Sequence, residues 1–186
     1  MKRFKPKGLV ASCALMLVSL GVAANTTTFG WVETGTIEPW GTEVKVKLDT
    51  GALTSSMQAE EIETFERDGE EWVRFLVEVE DEESDEVVSR RFERPVYRDL
   101  VVVGAGGEDH RPVVLMTICM GQTRHEEQFS LEDRDDMNYP VLLGRRTIQH
   151  LGEVDVTRTF LHEPDCDADS PLIRDPDRDD DEDIGI

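Results

Sequence analysis

Apolar residues recur at every second position through much of the chain between Phe29 and Phe160. In residues 44–48, for example, Val44, Val46 and Leu48 alternate with two lysines. This period of two is typical of half-buried β-strands. Further stretches of this kind lie at 73–79, 87–96, 100–103, 113–120, 126–131 and 141–143. Many short strands with few helices favour a small closed barrel or a sandwich.

Two stretches carry helical features, residues 57–67 and residues 145–151 directly after Gly144. The acidic residues 81–86 separate two alternating stretches and predict a turn. The predicted fold is therefore all-β, a closed barrel with one or two short helices. We place it in a single domain, residues 25–162.

The N-terminus has the composition of a secretory signal peptide. Four of the first seven residues are basic, and residues 8–24 carry no charge before the small residues Ala23 and Ala24. We predict cleavage after Ala24 and a periplasmic or secreted protein. A retained N-terminal membrane anchor is the alternative, because the apolar run is at the lower limit for a membrane span.

The chain is strongly acidic, with a formal net charge of −21. Removal of residues 1–24 would make it −25, since four basic side chains and no acidic ones would leave. Nucleic acid is therefore excluded as a partner, because phosphate binding needs a positive surface. Residues 163–186 are rich in Asp and poor in apolar residues, which predicts a disordered acidic tail.

Cys119 and Cys166 would be the cysteines left after cleavage, and they could pair in an oxidising compartment. Cys119 lies in an apolar stretch and Cys166 in the acidic tail, which favours a buried free thiol at Cys119. The sequence leaves the two alternatives open.

The tripeptide Asp49-Thr50-Gly51 ends an apolar strand and is followed by Ala52. Asp and Gly at such a place can serve only the backbone geometry of a turn. The same residues are also those needed for acid catalysis, because Gly allows a sharp turn beneath an exposed carboxylate.

Two blocks give the chain a resemblance to the retropepsin-like aspartic peptidases. More narrowly, it resembles the bacterial family labelled ATP-dependent zinc proteases and associated with RimK-type ligases. The first block is Leu48-Asp49-Thr50-Gly51-Ala52-Leu53-Thr54-Ser55-Ser56. The second is Arg134-Asp135-Asp136-Met137-Asn138-Tyr139-Pro140-Val141-Leu142-Leu143-Gly144-Arg145. The similarity extends over about residues 29–160.

The resemblance implies an acid-protease barrel in which Asp49 is catalytic. It also implies that Thr50 bonds across a dimer and that Leu143, Gly144 and Arg145 pack behind the Asp49 loop. Gly51, Ala52 and Thr54 belong to the same support. Viral members of the fold often carry an acidic partner for this Arg a few residues after the tripeptide. Residues 53–56 hold none, so Arg145 needs another partner.

Hydrolysis by two carboxylates needs one ionised acid and one protonated acid in contact, which share a proton. The chain has one Asp-Thr-Gly and is too short for two lobes. We therefore expect a homodimer to supply the second Asp49 and a peptide or protein to be the substrate. The glycine turn with Gly104, Gly106 and Gly107 is a candidate flap over the site, and residues 81–86 are the competing candidate.

Other chemistries have weaker support. There is no His-Glu-x-x-His, and the four histidines are scattered, so we predict no metal and no other cofactor. No phosphate-binding loop occurs, which argues against ATP. Ser55 and Ser56 lack the surroundings of a nucleophile elbow. A non-catalytic barrel that binds peptides or envelope components is the alternative to the peptidase, and a zinc metallopeptidase is the third possibility.

Overall fold

The computed structural model describes residues 26–104 and 107–174. The predicted signal peptide and residues 175–186 lie outside the described residues. The described elements are β1 (Thr28–Glu38), β2 (Thr42–Leu48), β3 (Ser55–Gln58), β4 (Glu60–Arg67), β5 (Glu70–Asp81), β6 (Glu86–Pro95), β7 (Arg98–Gly104), β8 (Gly107–Met120), β9 (Thr123–Glu132), β10 (Val141–Leu143), α1 (Arg145–Leu151), β11 (Glu153–Thr159) and β12 (Leu172–Arg174).

Six strands close into a ring in the order β1, β2, β10, β3, β9 and β8, and β8 pairs back to β1. The pairing of Thr36 with Cys119 and of Glu38 with Thr117 closes this ring. β11, β7 and β12 extend it at the edges of β1, β8 and β9. The all-β fold with a short helix is thus the one that the sequence predicts, and each predicted strand is present.

The ring encloses an apolar core. In β2 the apolar side chains Val44, Val46 and Leu48 are buried while the two lysines between them are only partly covered. A second sheet, β4-β5-β6, packs on the core through one face of β5, where Val73 and Phe75 are fully buried. Burial of these alternate residues is the main stabilising contribution, at roughly 1.5–3 kcal/mol for each large apolar side chain.

The helix predicted over residues 57–67 is wrong. Met57 lies in β3 between Val141 of β10 and Leu131 of β9, and residues 60–67 form β4 against β5. The Glu-rich composition of this stretch favours a helix by local propensity, but pairing and the burial of Met57 outweigh that weak preference. The helix predicted at Arg145–Leu151 is confirmed.

The segment 160–174 is folded against the barrel, and we call it the strap. Glu33 is fully buried, and its Oε2 accepts hydrogen bonds from the amides of Leu161 (2.8 Å) and His162 (3.1 Å). Cys166 forms a disulfide with Cys119, so the free thiol favoured for Cys119 is wrong. The predicted disordered tail therefore does not begin at residue 163, because these contacts and β12 hold the chain as far as residue 174.

Candidate active site

Asp49 directly follows β2, at the end of the strand where β10 runs beside it. Its amide donates to the carbonyl of Leu143 at 2.8 Å, so the two blocks of the sequence meet at this point. The amide of Gly51 donates to Asp49 Oδ1 at 2.9 Å, and the amide of Ala52 donates to the Asp49 carbonyl at 3.2 Å. The turn therefore fixes the carboxylate by bonds from its own backbone.

Glycine at position 51 leaves room for the Asp49 carboxylate in this turn. A Cβ at its position would lie 3.1 Å from Asp49 Oδ1, which is closer than an ordinary contact. Asp49 itself is partly buried, with 25% of its side chain exposed, and Thr50 and Gly51 are exposed beside it. The carboxylate thus stands on an accessible surface of the barrel.

Lys47 is the cationic partner of Asp49 in the single chain. Its Nζ lies 2.8 Å from Asp49 Oδ2, and both side chains point to the same face because they are two residues apart along a strand. The hydrogen bond from Lys47 lowers the pKa of Asp49 below its usual value, and the Gly51 amide adds to this effect while burial opposes it. Asp49 is therefore ionised at neutral pH.

Gly144 brings the second block against the Asp49 loop. A Cβ here would lie 2.5 Å from the carbonyl oxygen of Leu53 and 2.7 Å from the carbonyl carbon of Thr54. Only glycine permits this approach of two backbones. Leu143, the residue before it, is fully buried in the core.

Arg145 finds its partners in the backbone of the Asp49 loop. Its Nη1 donates to the carbonyls of Thr50 (3.0 Å) and Gly51 (3.3 Å), and its amide donates to the Ala52 carbonyl at 2.9 Å. The acid missing from residues 53–56 is thus replaced by main-chain oxygens. The structure brings together all eight residues that the two blocks single out as the catalytic acid and its support.

Three buried polar residues lie under the loop, and sequence reasoning did not give any of them a structural role there. Ser55 Oγ lies 2.8 Å from Thr147 Oγ1 and accepts the amide of Gly144 at 3.0 Å. Thr147 Oγ1 also donates to Glu127 Oε2 at 3.3 Å. Ser55 lies within the first block and Thr147 lies just after the second, and this position was the only hint that the sequence gave of their role. Ser55 is 1% exposed, so a role as a nucleophile does not fit its position.

Arg134, the first residue of the second block, is buried beneath the same loop. Its Nη1 donates to Ser56 Oγ at 2.6 Å, and its Nε donates to the carbonyl of Tyr139 at 3.1 Å. Burial lowers the pKa of Arg134, and the nearby charges of Glu132 and Asp49 oppose this shift. Ser56 is thereby engaged in a structural hydrogen bond and is mostly buried.

The candidate flap is the hairpin of β7 and β8, in which Gly104 pairs with Gly107. Gly106 lies outside the described residues. The competing turn, residues 81–86, is bound to the start of β2, where Asp81 and Glu82 contact Glu43. Asp49 follows the other end of that strand, about 20 Å away at the usual rise per residue. The acidic turn is therefore poorly placed to cover Asp49, and the glycine hairpin stays the predicted flap.

A zinc centre does not fit the residues present. Among residues 26–104 and 107–174, no group of three or more His, Cys, Asp or Glu side chains could hold a metal ion. His125, His150 and His162 line a cavity beneath the strap, together with residues such as Phe29 and Met120, and Asp49 is not among the residues around it.

Comparison with known proteins gives the family. The family model described as "RimB-like: Retropepsin-like aspartic endopeptidase RimB" matches residues 28–165. The chain belongs to the RimB-like family. The matched range contains Asp49 and both blocks, and it ends next to the disulfide at Cys166.

Several relatives of this RimB-like chain are much longer proteins. It is 32% identical over 117 residues to a protein named "Probable alpha-L-glutamate ligase" from Shewanella pealeana, covering 63% of this chain and 25% of that protein. A protein of the same name from Desulfotalea psychrophila is 35% identical over 106 residues, which cover 56% of this chain and 22% of the relative. The chain thus spans about a quarter of the length of the curated relatives it matches.

A solved structure shares the fold. The crystal structure of a Legionella pneumophila protein of unknown function has a TM-score of 0.63 and 30% sequence identity, over 75% of this chain and all of that one. Separately, none of the helices in the described part of this RimB-like chain has the length and apolarity needed to cross a membrane.

Proposed function

We propose that this protein is an aspartic endopeptidase whose catalytic pair consists of Asp49 from each of two identical chains. The observation that carries the proposal is the Asp49 turn, an accessible carboxylate fixed by the Gly51 amide and supported from behind by Gly144 and Arg145. Membership of a family described as aspartic endopeptidases supports the reaction class.

The chemistry follows from two carboxyl groups in contact. They cannot both ionise, so one carries the proton and the other is a carboxylate. The carboxylate takes a proton from a bound water as its oxygen attacks the peptide carbonyl carbon, and the protonated acid donates to the carbonyl oxygen. Transfer of a proton to the amide nitrogen then allows the C–N bond to break, which yields a carboxylic acid and an amine.

Formation of such a pair requires that the Asp49 carboxylates of the two chains come into contact. In the single chain, Lys47 occupies Oδ2, the oxygen not bonded to the Gly51 amide. We infer that Lys47 releases Asp49, or turns aside, when two chains meet. Thr50 and Gly51 are exposed next to the carboxylate, so the surface that must contact the second chain is accessible.

The decisive experiment is replacement of Asp49 by Asn in the full chain. Cleavage of a mixed peptide library should fall by at least about 10³-fold, because the general base is lost while shape and volume are kept. Asp68→Asn, in the turn between β4 and β5, is the matched control and should cleave like the wild type. Retained cleavage by Asp49→Asn, with mass spectrometry excluding a contaminating peptidase, would refute the proposal.

A non-catalytic barrel that binds peptides is the second candidate. The specific observation in its favour is the Lys47–Asp49 ion pair, which neutralises the carboxylate in the single chain. Sedimentation analysis separates the two functions, because a strictly monomeric chain cannot assemble the pair of acids.

We also propose that the protein acts in the periplasm or outside the cell. The Cys119–Cys166 disulfide supports this, since such bonds persist in oxidising compartments. N-terminal sequencing of protein recovered from periplasmic and cytoplasmic fractions would test it. Recovery of the uncleaved chain from the cytoplasm alone would contradict the assignment.

A further inference from the structure

A cavity of about 700 Å³ lies beneath the strap. Residues of β1, β8, β9 and α1 line it on the barrel side, and residues of the strap line the other side. Its volume is typical of pockets that hold a small organic molecule. Asp49 does not line it, so a ligand in this cavity is independent of the proposed peptidase activity.

His125 is the buried polar side chain of this cavity. It lies on the buried face of β9, in alternation with partly covered neighbours, and it is 3% exposed. Its Nδ1 has no hydrogen-bond partner among the residues that the structure describes. A buried nitrogen in this state costs free energy, so a ligand that bonds to it is favoured. Burial also lowers the pKa of His125 to about 4, and the neutral ring therefore does not repel a cation.

His162, on the strap, gives the cavity a second imidazole. Its Nε2 lies 2.9 Å from the carbonyl oxygen of Thr28, and because a carbonyl can only accept, Nε2 carries the proton. The Nδ1 of the neutral ring is then an acceptor. The ring itself is held against Phe29, with 4.8 Å between the ring centroids.

Two carboxylates complete the polar lining. Glu163 and Asp165 are exposed on the strap at the edge of the cavity, and neither forms an ion pair within residues 26–104 and 107–174. Acceptors and negative charge together suit a cation that donates hydrogen bonds. The same described residues contain no group of three or more side chains that could hold a metal ion, so an organic cation suits the cavity better.

Apolar side chains occupy much of the remaining lining. They come from β1, β8, α1 and the strap, and they are Phe29, Met120, Leu151, Leu161 and Ile173. Phe29, Met120 and Leu151 are buried. An aromatic ring and a thioether favour contact with a flat apolar group. The lining is thus suited to a ligand with a charged head and an apolar body.

We propose that this cavity binds a small organic cation, a primary amine with an apolar body. The ammonium group donates to the imidazole nitrogens of His125 and His162 and lies near the carboxylates of Glu163 and Asp165. The body packs on the apolar side chains. The occupant is a free molecule and not a lysine side chain, because the volume is well above that of any single side chain. Since the ligand contacts barrel and strap together, it stabilises their association.

The first test compares three molecules of the same shape on the full chain at neutral pH: phenylbutylamine, phenylbutanol and phenylbutyrate. The amine should bind with a dissociation constant of about 1 mM or tighter, shift the imidazole nitrogen NMR signals of His125 and raise the melting temperature. The alcohol should bind roughly three- to tenfold more weakly, and the acid more weakly still, because the carboxylates no longer attract the head group. Equal binding of the three, or His125 signals that do not move, would overturn the proposal.

The second test removes the carboxylates. Glu163→Gln combined with Asp165→Asn should raise the dissociation constant of the amine roughly three- to tenfold and leave that of the alcohol unchanged. Asp68→Asn combined with Asp169→Asn removes the same charge away from the cavity and is the matched control. An equal loss in the control would show a general attraction of cations to an acidic chain and would overturn the site.

The third test removes the imidazoles one at a time. His125→Leu should weaken binding of the amine about tenfold, since it loses a hydrogen bond to a charged group. His162→Phe keeps a ring beside Phe29 and should also weaken it, so the test survives if one variant fails to fold. Unchanged binding in either folded variant would overturn the assigned contacts. A lysine-containing peptide that binds more tightly than phenylbutylamine would overturn the free amine as occupant.

The result stays separate from that of the proposed function. Asp49→Asn should bind phenylbutylamine like the wild type, because Asp49 does not line the cavity. Weaker binding by Asp49→Asn would place the amine at the Asp49 loop and would overturn the inference.

Discussion

At the scale of single residues, Lys47 is the main cause of the lowered pKa of the candidate catalytic acid. Replacing Lys47 by Met removes the hydrogen bond and charge that lower the pKa of Asp49, so this pKa should rise. Carbon-13 NMR titration of the Asp49 carboxyl measures the change directly. If the peptidase proposal holds, the acidic limb of the pH–rate profile should move to higher pH as well.

Lys45→Met is the matched control for this experiment. Lys45 lies two residues earlier on the same strand face and pairs with Glu82 at 2.8 Å. Its removal should break an equivalent ion pair and leave the titration of Asp49 unchanged. Equal shifts in the two variants would show that Lys47 has no specific part in the pKa of Asp49.

Gly144 sets how closely the two blocks approach. Gly144→Ala should destabilise the protein by about 1–3 kcal/mol, because the new Cβ meets the backbone of Leu53 and Thr54 and not a movable side chain. Thermal unfolding measures this, and cleavage should fall with it because the Asp49 loop is displaced. Gly69→Ala, where nothing lies within 4 Å, should cost only the strain of its positive φ and leave cleavage intact. An unchanged melting temperature for Gly144→Ala would contradict the packing argument.

His125 makes stability depend on pH. It is 3% exposed, and burial, with a smaller contribution from the charge of His150, lowers its pKa to about 4. The unfolded chain titrates near 6.5 and so binds the proton first; stability is complete above that value and is lost as the pH falls towards 4. The loss from this residue is at most about 3 kcal/mol. Denaturant unfolding at neutral pH and about 2 units below it should show the loss.

His125→Leu provides the comparison. The Nδ1 of His125 has no hydrogen-bond partner within the described chain, so an apolar replacement leaves no partner of that atom unsatisfied. The variant should lose less stability on acidification than the wild type. An identical loss would assign the acid sensitivity to groups other than His125. If the peptidase proposal holds, low pH would favour cleavage by the proton-sharing pair and would also lower the stability of the fold.

At the scale of elements, the disulfide between Cys166 and Cys119 joins the strap to β8 of the barrel. Cys166→Ser opens a disulfide that spans 47 residues, and the free energy of unfolding should fall by about 2–4 kcal/mol. Calorimetry with and without a reductant is the measurement. Reductant should lower the melting temperature of the wild type and leave Cys166→Ser unaffected. A variant as stable as the oxidised wild type would mean that Glu33 and β12 hold the strap unaided.

Elements also show where sequence patterns succeed and fail. The stretches with clean alternation, such as β2 and β5, are strands with the expected residues buried. Residues 60–67 are four glutamates among eight and look helical, yet they pair with β5 over most of their length. The difference arises because alternation reports burial directly, whereas propensity is a small local term that a neighbouring strand overrides.

At the scale of the whole molecule, the peptidase proposal requires two chains. Activity per chain should rise with protein concentration around the dissociation constant of the dimer, which sedimentation can determine independently. Mixing the wild type with an equal amount of Asp49→Asn should reduce activity to about half, because random exchange places half of the wild-type chains in inactive pairs. Activity that is unaffected by the mixture would contradict a shared site.

Sequence alone determined the all-β class and the bounds of the helix at Arg145–Leu151, because periodic patterns report on local backbone and burial. It also predicted the roles of Asp49 and its seven supporting residues, and these roles stay predictions. Tertiary structure decided the rest. The hydrogen bond between Ser55 and Thr147, the hydrogen bond from Arg134 to Ser56 and the Cys119–Cys166 disulfide each join residues tens of positions apart. No local pattern encodes such contacts, since they form only once segments that are distant in the sequence lie side by side.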